Sequence, residues 1–508
     1  MAVSIGSALR WWAKAKGDEA AYRLDADALT YRHVEYWSSR LARHLAEVGV
    51  QPGDRIGLLA PNVIEWPVIA LAVIKVGAIL VPLNARLKPA EVRKVADDSG
   101  ISLVVAGPAQ RNVAEQASQS GNPFDVYGID IADATRDGQP DHFRIDRPTD
   151  DPIAVIFTSG STGLSKGVIL TTRTLLGIVL ENTLTEEGFR PGSVALLVLP
   201  LAFTPGLVYG VLMTAVLGAT LIVEPDFNPS RAVTLIEQHG VRALFGVPLI
   251  FESISRTTEF ENADLSSLQT AIVGGAAVPV DLLHRWAEKG VMLRQMYGMT
   301  EAGGVATATL KSETLEHPGS CGDGSIFTEV RVMSEDGEIA APGVPGELVV
   351  RGPGVTPGYW NDPATTAAAI YGGWLHSGDL GIADDDGRVT FLDRKKDLII
   401  SGGINVSPVE LEVLIGKLEG VAEVAVIAVA DERWGETPGA IITVAEGYDG
   451  LTEAAVVAHC EAELSDYKVP RYVVLSENPL PRLPSGKIDK RTIRNQYRDI
   501  AERFSKAR

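Results

Sequence analysis

Apolar positions in the first four hundred residues fall into short runs separated by longer amphipathic stretches. Runs at 55–59, 79–82 and 103–106 read as strands, and the stretches 65–76 and 89–98 read as helices between them. The same rhythm resumes at 153–180, 194–224, 229–246 and 270–290. Strand–helix–strand alternation of this kind predicts an α/β fold with largely parallel sheets covered by helices.

The stretch from 194 to 223 carries no charged residue and is long enough to span a membrane. Pro200, Pro205, Gly206, Gly210 and Gly218 punctuate it. The pattern therefore predicts a strand at 194–199, a loop at 200–206, a helix to about 217 and a strand at 219–223, all buried in an α/β core. From about 320 the texture changes to short alternating runs between Gly and Pro, at 330–333, 346–351 and 388–393, which predicts a small β-rich unit. Asp384-Asp385-Asp386-Gly387 reads as its hairpin turn. Beyond the charged cluster Arg394-Lys395-Lys396-Asp397, a compact α+β unit is predicted. Its helices fall at 408–417 and 452–464, and its strands at 422–430, 440–445 and 471–476.

Length and charge narrow the class. A chain of 508 residues exceeds one ordinary core, so several structural units are expected. A net charge of −19 argues against a nucleic-acid partner, which needs a basic face. Cys321 and Cys460 are the only cysteines and lie far apart, which excludes a disulfide framework or zinc spacing and fits a reducing cytoplasm. The N-terminus lacks a charged start followed by a long apolar stretch, so no signal peptide is expected.

The chemistry begins at Thr158-Ser159-Gly160-Ser161-Thr162-Gly163-Leu164-Ser165-Lys166-Gly167. These ten residues hold five hydroxyls, three glycines and a lysine. Glycines let backbone approach a polyanion, N–H groups and hydroxyls donate to phosphate oxygens, and the lysine adds charge. A flexible Ser/Gly linker has similar composition, but a linker does not follow directly on a buried strand such as 153–157. The order Ser165-Lys166-Gly167 excludes a Walker A loop, which ends Gly-Lys-Ser/Thr. Tyr297-Gly298-Met299-Thr300-Glu301 follows a predicted strand at 291–296 and offers a ring for a base, a hydroxyl for phosphate and a carboxylate for Mg²⁺. Gly274-Gly275-Ala276-Ala277 is bare enough for a flat ligand, although a tight strand-to-helix turn has the same composition. Asp379 in Gly373-Trp374-Leu375-His376-Ser377-Gly378-Asp379 suits a pair of ribose hydroxyls, or a turn cap. Lys487 stands on the Pro/Gly loop Pro484-Ser485-Gly486-Lys487, where a solvated surface lysine is the alternative.

Together with Gly346-Glu347-Leu348, Gly358-Tyr359-Trp360 and Asp393 to Asp397 followed by Ser401-Gly402-Gly403, these motifs resemble the adenylate-forming superfamily, in its acyl-CoA synthetase branch. They occur in that family's order over nearly the whole chain. The resemblance implies an N-terminal adenylation domain at 1–393, a hinge at 394–397 pivoting on Lys396, and a mobile C-terminal domain at 398–508. It implies ATP, Mg²⁺ and coenzyme A as reactants and cofactors. The implied nucleotide site comprises Thr158, Ser159, Gly160, Ser161, Thr162, Gly163 and Lys166 around the β- and γ-phosphates, and Gly275, Ala276, Ala277, Tyr297 and Gly298 around adenine. Asp379 and Arg394 would hold the ribose. The implied catalytic groups are Thr300 at the α-phosphate, Glu301 on Mg²⁺, and Lys487 bridging carboxylate and α-phosphate. Acyl-AMP and pyrophosphate would form first, and a thiol would then displace AMP.

Two departures stand out from the family pattern. Pro200-Leu201-Ala202-Phe203-Thr204-Pro205 places Phe203 where a gating histidine is frequent, and Ile404 and Thr172 stand where Glu and His are common. The acid pocket is expected near Phe203, Thr204, Met296, Gly303 and Gly304, with no lysine or arginine to hold a second carboxylate. That favours a monocarboxylic acid with an apolar body, fatty or aromatic. For CoA, the resemblance points to Gly402, Gly403, Trp434, Tyr467 and Arg471. A ligase loading a separate carrier protein, and a silent acyl-nucleotide binder, are the alternatives. A monomer or homodimer without a membrane span is expected.

Overall fold

The computed structural model describes residues 4–158, 166–395, 397–401, 404–431, 433–483 and 486–508, apart from the Asn405 side chain. The chain packs as two units: 1–330 with 350–376, and 331–349 with 377–508. The boundary expected at 393–397 lies inside the second of these units, which also takes in 331–349 and 377–393.

The first unit holds two sheets. One has six strands in the order Asp125–Gly128, Ile101–Ala106, Arg55–Leu59, Ile79–Leu83, Pro152–Thr158, Lys166–Thr171. Its first five strands pair parallel, and Lys166–Thr171 closes the edge antiparallel. All five residues of Ile79–Leu83 are buried, as expected for a parallel strand covered on both faces. The other sheet has eight strands, from Thr307–Ala308 through Leu293–Tyr297, Thr270–Gly274, Ala243–Gly246, Val194–Leu197 and Thr220–Val223 to Ala20–Leu24 and Asp27–Thr30.

Helix Trp66–Lys75 is apolar nearly all round and almost wholly buried, which is the signature of a helix between layers. It shares one core with Leu58, Leu80 and Ile156 of the first sheet and Leu197, Leu221 and Val223 of the second. Each such side chain stabilises the fold by roughly 1.5–3 kcal/mol.

The uncharged stretch resolves as the sequence predicts. Strand Val194–Leu197 leads to a buried π-helical segment Pro205–Leu212, then helix Met213–Leu217 and strand Thr220–Val223. Gly218 ends that helix at φ +69, with Trp12 packed where a Cβ would stand. Among the described residues no helix is long and apolar enough to cross a membrane.

In the second unit, Val421–Asp431 and Gly435–Val444 pair antiparallel, and Tyr472–Ser476 joins parallel to the latter. Helices Pro408–Ile415 and Glu453–Glu463 contribute Leu411, Ile415, Val456 and Cys460 to one core. A second core gathers Ile427, Ile441, Ile493 and Ile500. The predicted turn at 384–387 forms, with Gly387 at φ +86 and its N–H donating to Asp384 O at 3.0 Å.

Candidate active site

Strand Leu293–Tyr297 is parallel to Thr270–Gly274 on one side and antiparallel to the short strand Thr307–Ala308 on the other, and the chain leaves the parallel side of the sheet beyond Tyr297. A single 3₁₀ turn, Thr300–Ala302, follows at once. It is closed by Gly303 at φ +82 and Gly304 at φ +113, whose N–H groups donate to Thr300 O at 3.0 Å and Met299 O at 2.9 Å. A Cβ on Gly303 would stand 2.7 Å from Ile178, and one on Gly304 would stand 2.6 Å from Tyr209. Both glycines therefore answer to backbone conformation and to packing. A Cβ on Gly298 would meet Gly304 O at 1.7 Å, so the chain folds tightly back over itself here.

This turn fixes the two groups on it. Thr300 Oγ1 lies 2.8 Å from Thr204 Oγ1, itself buried. Glu301 is 8% exposed, and its Oε1 accepts from the Tyr359 hydroxyl at 2.9 Å. Burial, and then the Glu301 charge, push the Tyr359 phenol above its ordinary range, so it stays protonated as a donor. Lys166 Nζ lies 5.0 Å from the centre of the same ring. Such a contact contributes about 0.5–2 kcal/mol.

Tyr359 belongs to a segment laid along strand Lys166–Thr171. Trp360 N–H donates to Gly167 O at 2.7 Å, and Thr356 Oγ1 donates to Ile169 O at 2.8 Å. Thr356 N–H also donates to Glu301 O at 2.8 Å. The foot of the Ser/Gly loop, Tyr359 and the carboxylate thus form one network. Sequence reasoning gave Tyr359 no role; its place between Gly358 and Trp360 in a recognised motif was the available signal.

Tyr297 is buried at its strand end, with its carbonyl accepting from Ala306 N–H at 3.0 Å. Gly275, Ala276 and Ala277 lie exposed just past strand Thr270–Gly274, with Gly275 at φ +81. Met296, half-buried, packs against the Gly274 backbone: a Cβ there would stand 2.4 Å from its sulfur. Phe203, half-buried, opens the π-helical segment by accepting from Leu207 N–H at 2.8 Å. A buried ion pair, Arg294 with Glu186, anchors the strand that carries Tyr297. Thr158 pairs with Lys166 across the antiparallel strands. Ser159, Gly160, Ser161, Thr162 and Gly163 lie outside the described residues, as do Lys396, Gly402 and Gly403.

Within the second unit, Asp379 and Arg394 stand opposite each other on the antiparallel strands Trp374–Ala383 and Val389–Arg394. Their side chains pair at 3.3 Å, the carboxylate buried and the guanidinium exposed. Lys487 lies on a tight turn: Gly486 has φ +84, and Leu483 N–H donates to Lys487 O at 2.7 Å. Crowding by protein, and then the Arg394 charge, lower the Lys487 ammonium, while Asp379 opposes them. The side chain stays exposed, so water screens the crowding and limits the effect. These three expected residues therefore share one electrostatic environment.

Trp434 is flanked by two guanidinium groups, Arg433 at 4.8 Å and Arg471 at 5.6 Å from its ring centre. Asp431 holds this turn by accepting from the Arg433 and Trp434 N–H groups at 2.9 and 3.0 Å. An aromatic face between two cations suits an anionic nucleotide. Tyr467, half-buried, packs against the hydrophobic core of this unit.

Among the described residues no group of three or more His, Cys, Asp or Glu is placed to hold a metal ion. A single buried carboxylate, Glu301, in one network with Tyr359 and Lys166, would suit Mg²⁺ shared with phosphate oxygens, because Mg²⁺ keeps waters and takes few protein ligands. With Oε1 held by Tyr359, Oε2 of Glu301 is the oxygen left for that task.

Comparison with known proteins shows the family and the fold. Residues 9–360 match the family model for AMP-binding enzymes, and 410–487 match that for the AMP-binding enzyme C-terminal domain. A feruloyl-CoA synthase from Amycolatopsis is 37% identical over 94% of this chain and 96% of its own. The long-chain-fatty-acid–CoA ligase FadD13 of Mycobacterium tuberculosis is 35% identical, over 92% and 93%. The crystal structure of ATP-bound MatB from Rhodopseudomonas palustris superposes with a TM-score of 0.87 at 29% identity, covering 97% of this chain and 99% of that one. The chain belongs to the AMP-binding enzymes, in the acyl-CoA synthetase branch of the adenylate-forming superfamily.

Proposed function

We propose that this enzyme joins an apolar monocarboxylic acid, fatty or aromatic, to coenzyme A at the expense of ATP. The observation that carries the reading is the network of Lys166, Tyr359 and buried Glu301, which ties a phosphate-loop lysine to a fixed carboxylate. The named relatives act on feruloyl and long-chain fatty acyl groups, which supports an apolar acid.

In the first half-reaction the substrate carboxylate attacks the α-phosphorus, and pyrophosphate leaves. A carboxylate is already a nucleophile, so the step needs alignment and charge neutralisation rather than a general base. Thr300 would position the α-phosphate, Lys166 would hold the leaving end, and Lys487 would neutralise the meeting anions. Mg²⁺, held through Glu301, would supply Lewis-acid stabilisation of phosphate charge. Asp379 and Arg394 would hold the ribose, and Tyr297 with Gly275, Ala276 and Ala277 the adenine.

In the second half-reaction the CoA sulfur attacks the acyl carbon and AMP leaves. Trp434, Arg433 and Arg471 would hold the CoA nucleotide, with Gly402 and Gly403 beside the thiol. Lys487 serves the first half only, and the segment around Lys396 is the proposed pivot between them. Phe203, Thr204 and Met296 would border the acid. The expected compartment is the cytoplasm, as monomer or homodimer.

Pyrophosphate release, screened across carboxylic acids with and without CoA, tests this reading. Release with apolar acids and capture of acyl-AMP by CoA is the expected result. No release from any acid would point to a silent binder. Acyl-AMP that CoA never captures would point to carrier-protein loading.

A further inference from the structure

The gate segment at 200–206 is built at the open ends of two neighbouring parallel strands. Val194–Leu197 and Thr220–Val223 stay paired up to Leu197 and Val223, and Glu224 N–H still donates to Leu197 O at 3.0 Å. Beyond that point the sheet no longer pairs the two chains, and their backbone groups need other partners. One side chain meets three of them. Asn62 Nδ2 donates to Leu199 O at 3.1 Å and to Glu224 O at 2.9 Å, and Asn62 Oδ1 accepts from Leu201 N–H at 2.8 Å.

Asn62 comes from the other sheet of this unit, three residues past strand Arg55–Leu59. It therefore ties the mouth of one sheet to the mouth of the other. The chain beyond Leu201 is tightly determined. Phe203 N–H donates to Pro200 O at 3.2 Å, and a Cβ on Gly206 would stand 2.3 Å from Pro200 O. Thr204 then meets Thr300 at 2.8 Å. A fixed Leu201 thus sets where Phe203 and Thr204 stand relative to the Thr300 turn.

We propose that Asn62 is a positioning residue for acid selection: its amide clamps the start of the gate segment and so fixes Phe203 and Thr204 against Thr300. This rests on the ligase reading above for what the gate admits. A side chain with both donor and acceptor is required, because the three backbone partners include two carbonyls and one N–H.

The test compares wild type, Asn62→Ala, Phe203→Ala and the double variant, with Asn62→Asp as a near-isosteric form that keeps the acceptor and loses both donors. Hydrogen–deuterium exchange of the peptide at 199–207, in protein without substrate, reads the clamp directly. The kcat/KM ratio between a small and a bulky acid reads selection, with KM for ATP as control. Asn62→Ala should speed exchange at 199–207 and leave 293–297 unchanged. It should raise KM for the preferred acid and reduce the selectivity ratio by about tenfold. The double variant should lose no more selectivity than Phe203→Ala alone, since both act through one gate. Asn62→Asp should fall on the same side as Asn62→Ala. Unchanged exchange would overturn the clamp. Faster exchange with unchanged selectivity, or fully additive losses in the double variant, would overturn the positioning role. A wild type that releases no pyrophosphate with any acid would strike the ligase reading itself, and exchange would still decide the clamp.

Discussion

Glu301 and Lys487 carry opposite charges and live in opposite surroundings. Glu301 is buried past a parallel strand, on a turn closed by two left-handed glycines, with one oxygen held by Tyr359. Lys487 is exposed on a short turn in the other unit, where crowding by protein and then the Arg394 charge lower its ammonium against the pull of Asp379. A group proposed to hold a metal ion gains from a rigid, hydrogen-bonded site. A group proposed to serve one half-reaction and then withdraw gains from an exposed turn. The contrast implies that substitutions near Glu301 raise the metal requirement of the first half, whereas those near Lys487 slow that half without doing so and leave the second half intact.

The largest effect at the fixed end is expected from Glu301→Gln. Pyrophosphate release should fall about a hundredfold and demand more Mg²⁺, as read from a metal titration of the first half-reaction. Tyr359→Phe removes one hydrogen bond to the same carboxylate and weakens no charge. A loss of about tenfold in the first half, with a raised Mg²⁺ requirement, is expected from steady-state rates. An unchanged Mg²⁺ requirement would detach Tyr359 from the metal. Arg471→Ala should raise KM for CoA by about three- to tenfold and leave acyl-AMP formation alone, a split read by assaying the halves separately.

The smallest effect is in pH. In the proposed first half-reaction Lys487 would work as the ammonium, and its pKa is lowered, chiefly by crowding. The first half-reaction should therefore be lost as pH rises through a value below the ordinary lysine range of about 10.4. The second half, in which Lys487 is proposed to take no part, should lack that alkaline limb. Profiles of the two halves that fall together would dissolve the contrast between the two sites.

Much of this contrast is legible in the sequence, and the part that is not has a physical reason. Strand Arg55–Leu59 and the strand-loop-helix-strand order across 194–223 follow from local periodicity and from proline and glycine punctuation. Asp379 and Arg394 are legible as motif residues, and the antiparallel register places them opposite each other. Tyr359 is not legible as a partner of Glu301, because its hydrogen bond spans 58 residues. Asn62 is further out of reach, since its partners stand 137 to 162 residues away. Local pattern reports which face is apolar; it does not report which distant backbone an amide will meet. Gly303 and Gly304 show a related limit. They are expected near the acid pocket, and that Ile178 and Tyr209 occupy the directions their Cβ atoms would take is a packing constraint no local pattern reports.

Single-turnover kinetics of Lys487→Ala, run on each half-reaction alone, tests the division of labour most directly. Acyl-AMP formation from acid and ATP should fall by at least about a hundredfold, while CoA attack on supplied acyl-AMP should proceed at close to the wild-type rate. An equal fall in both halves would contradict it.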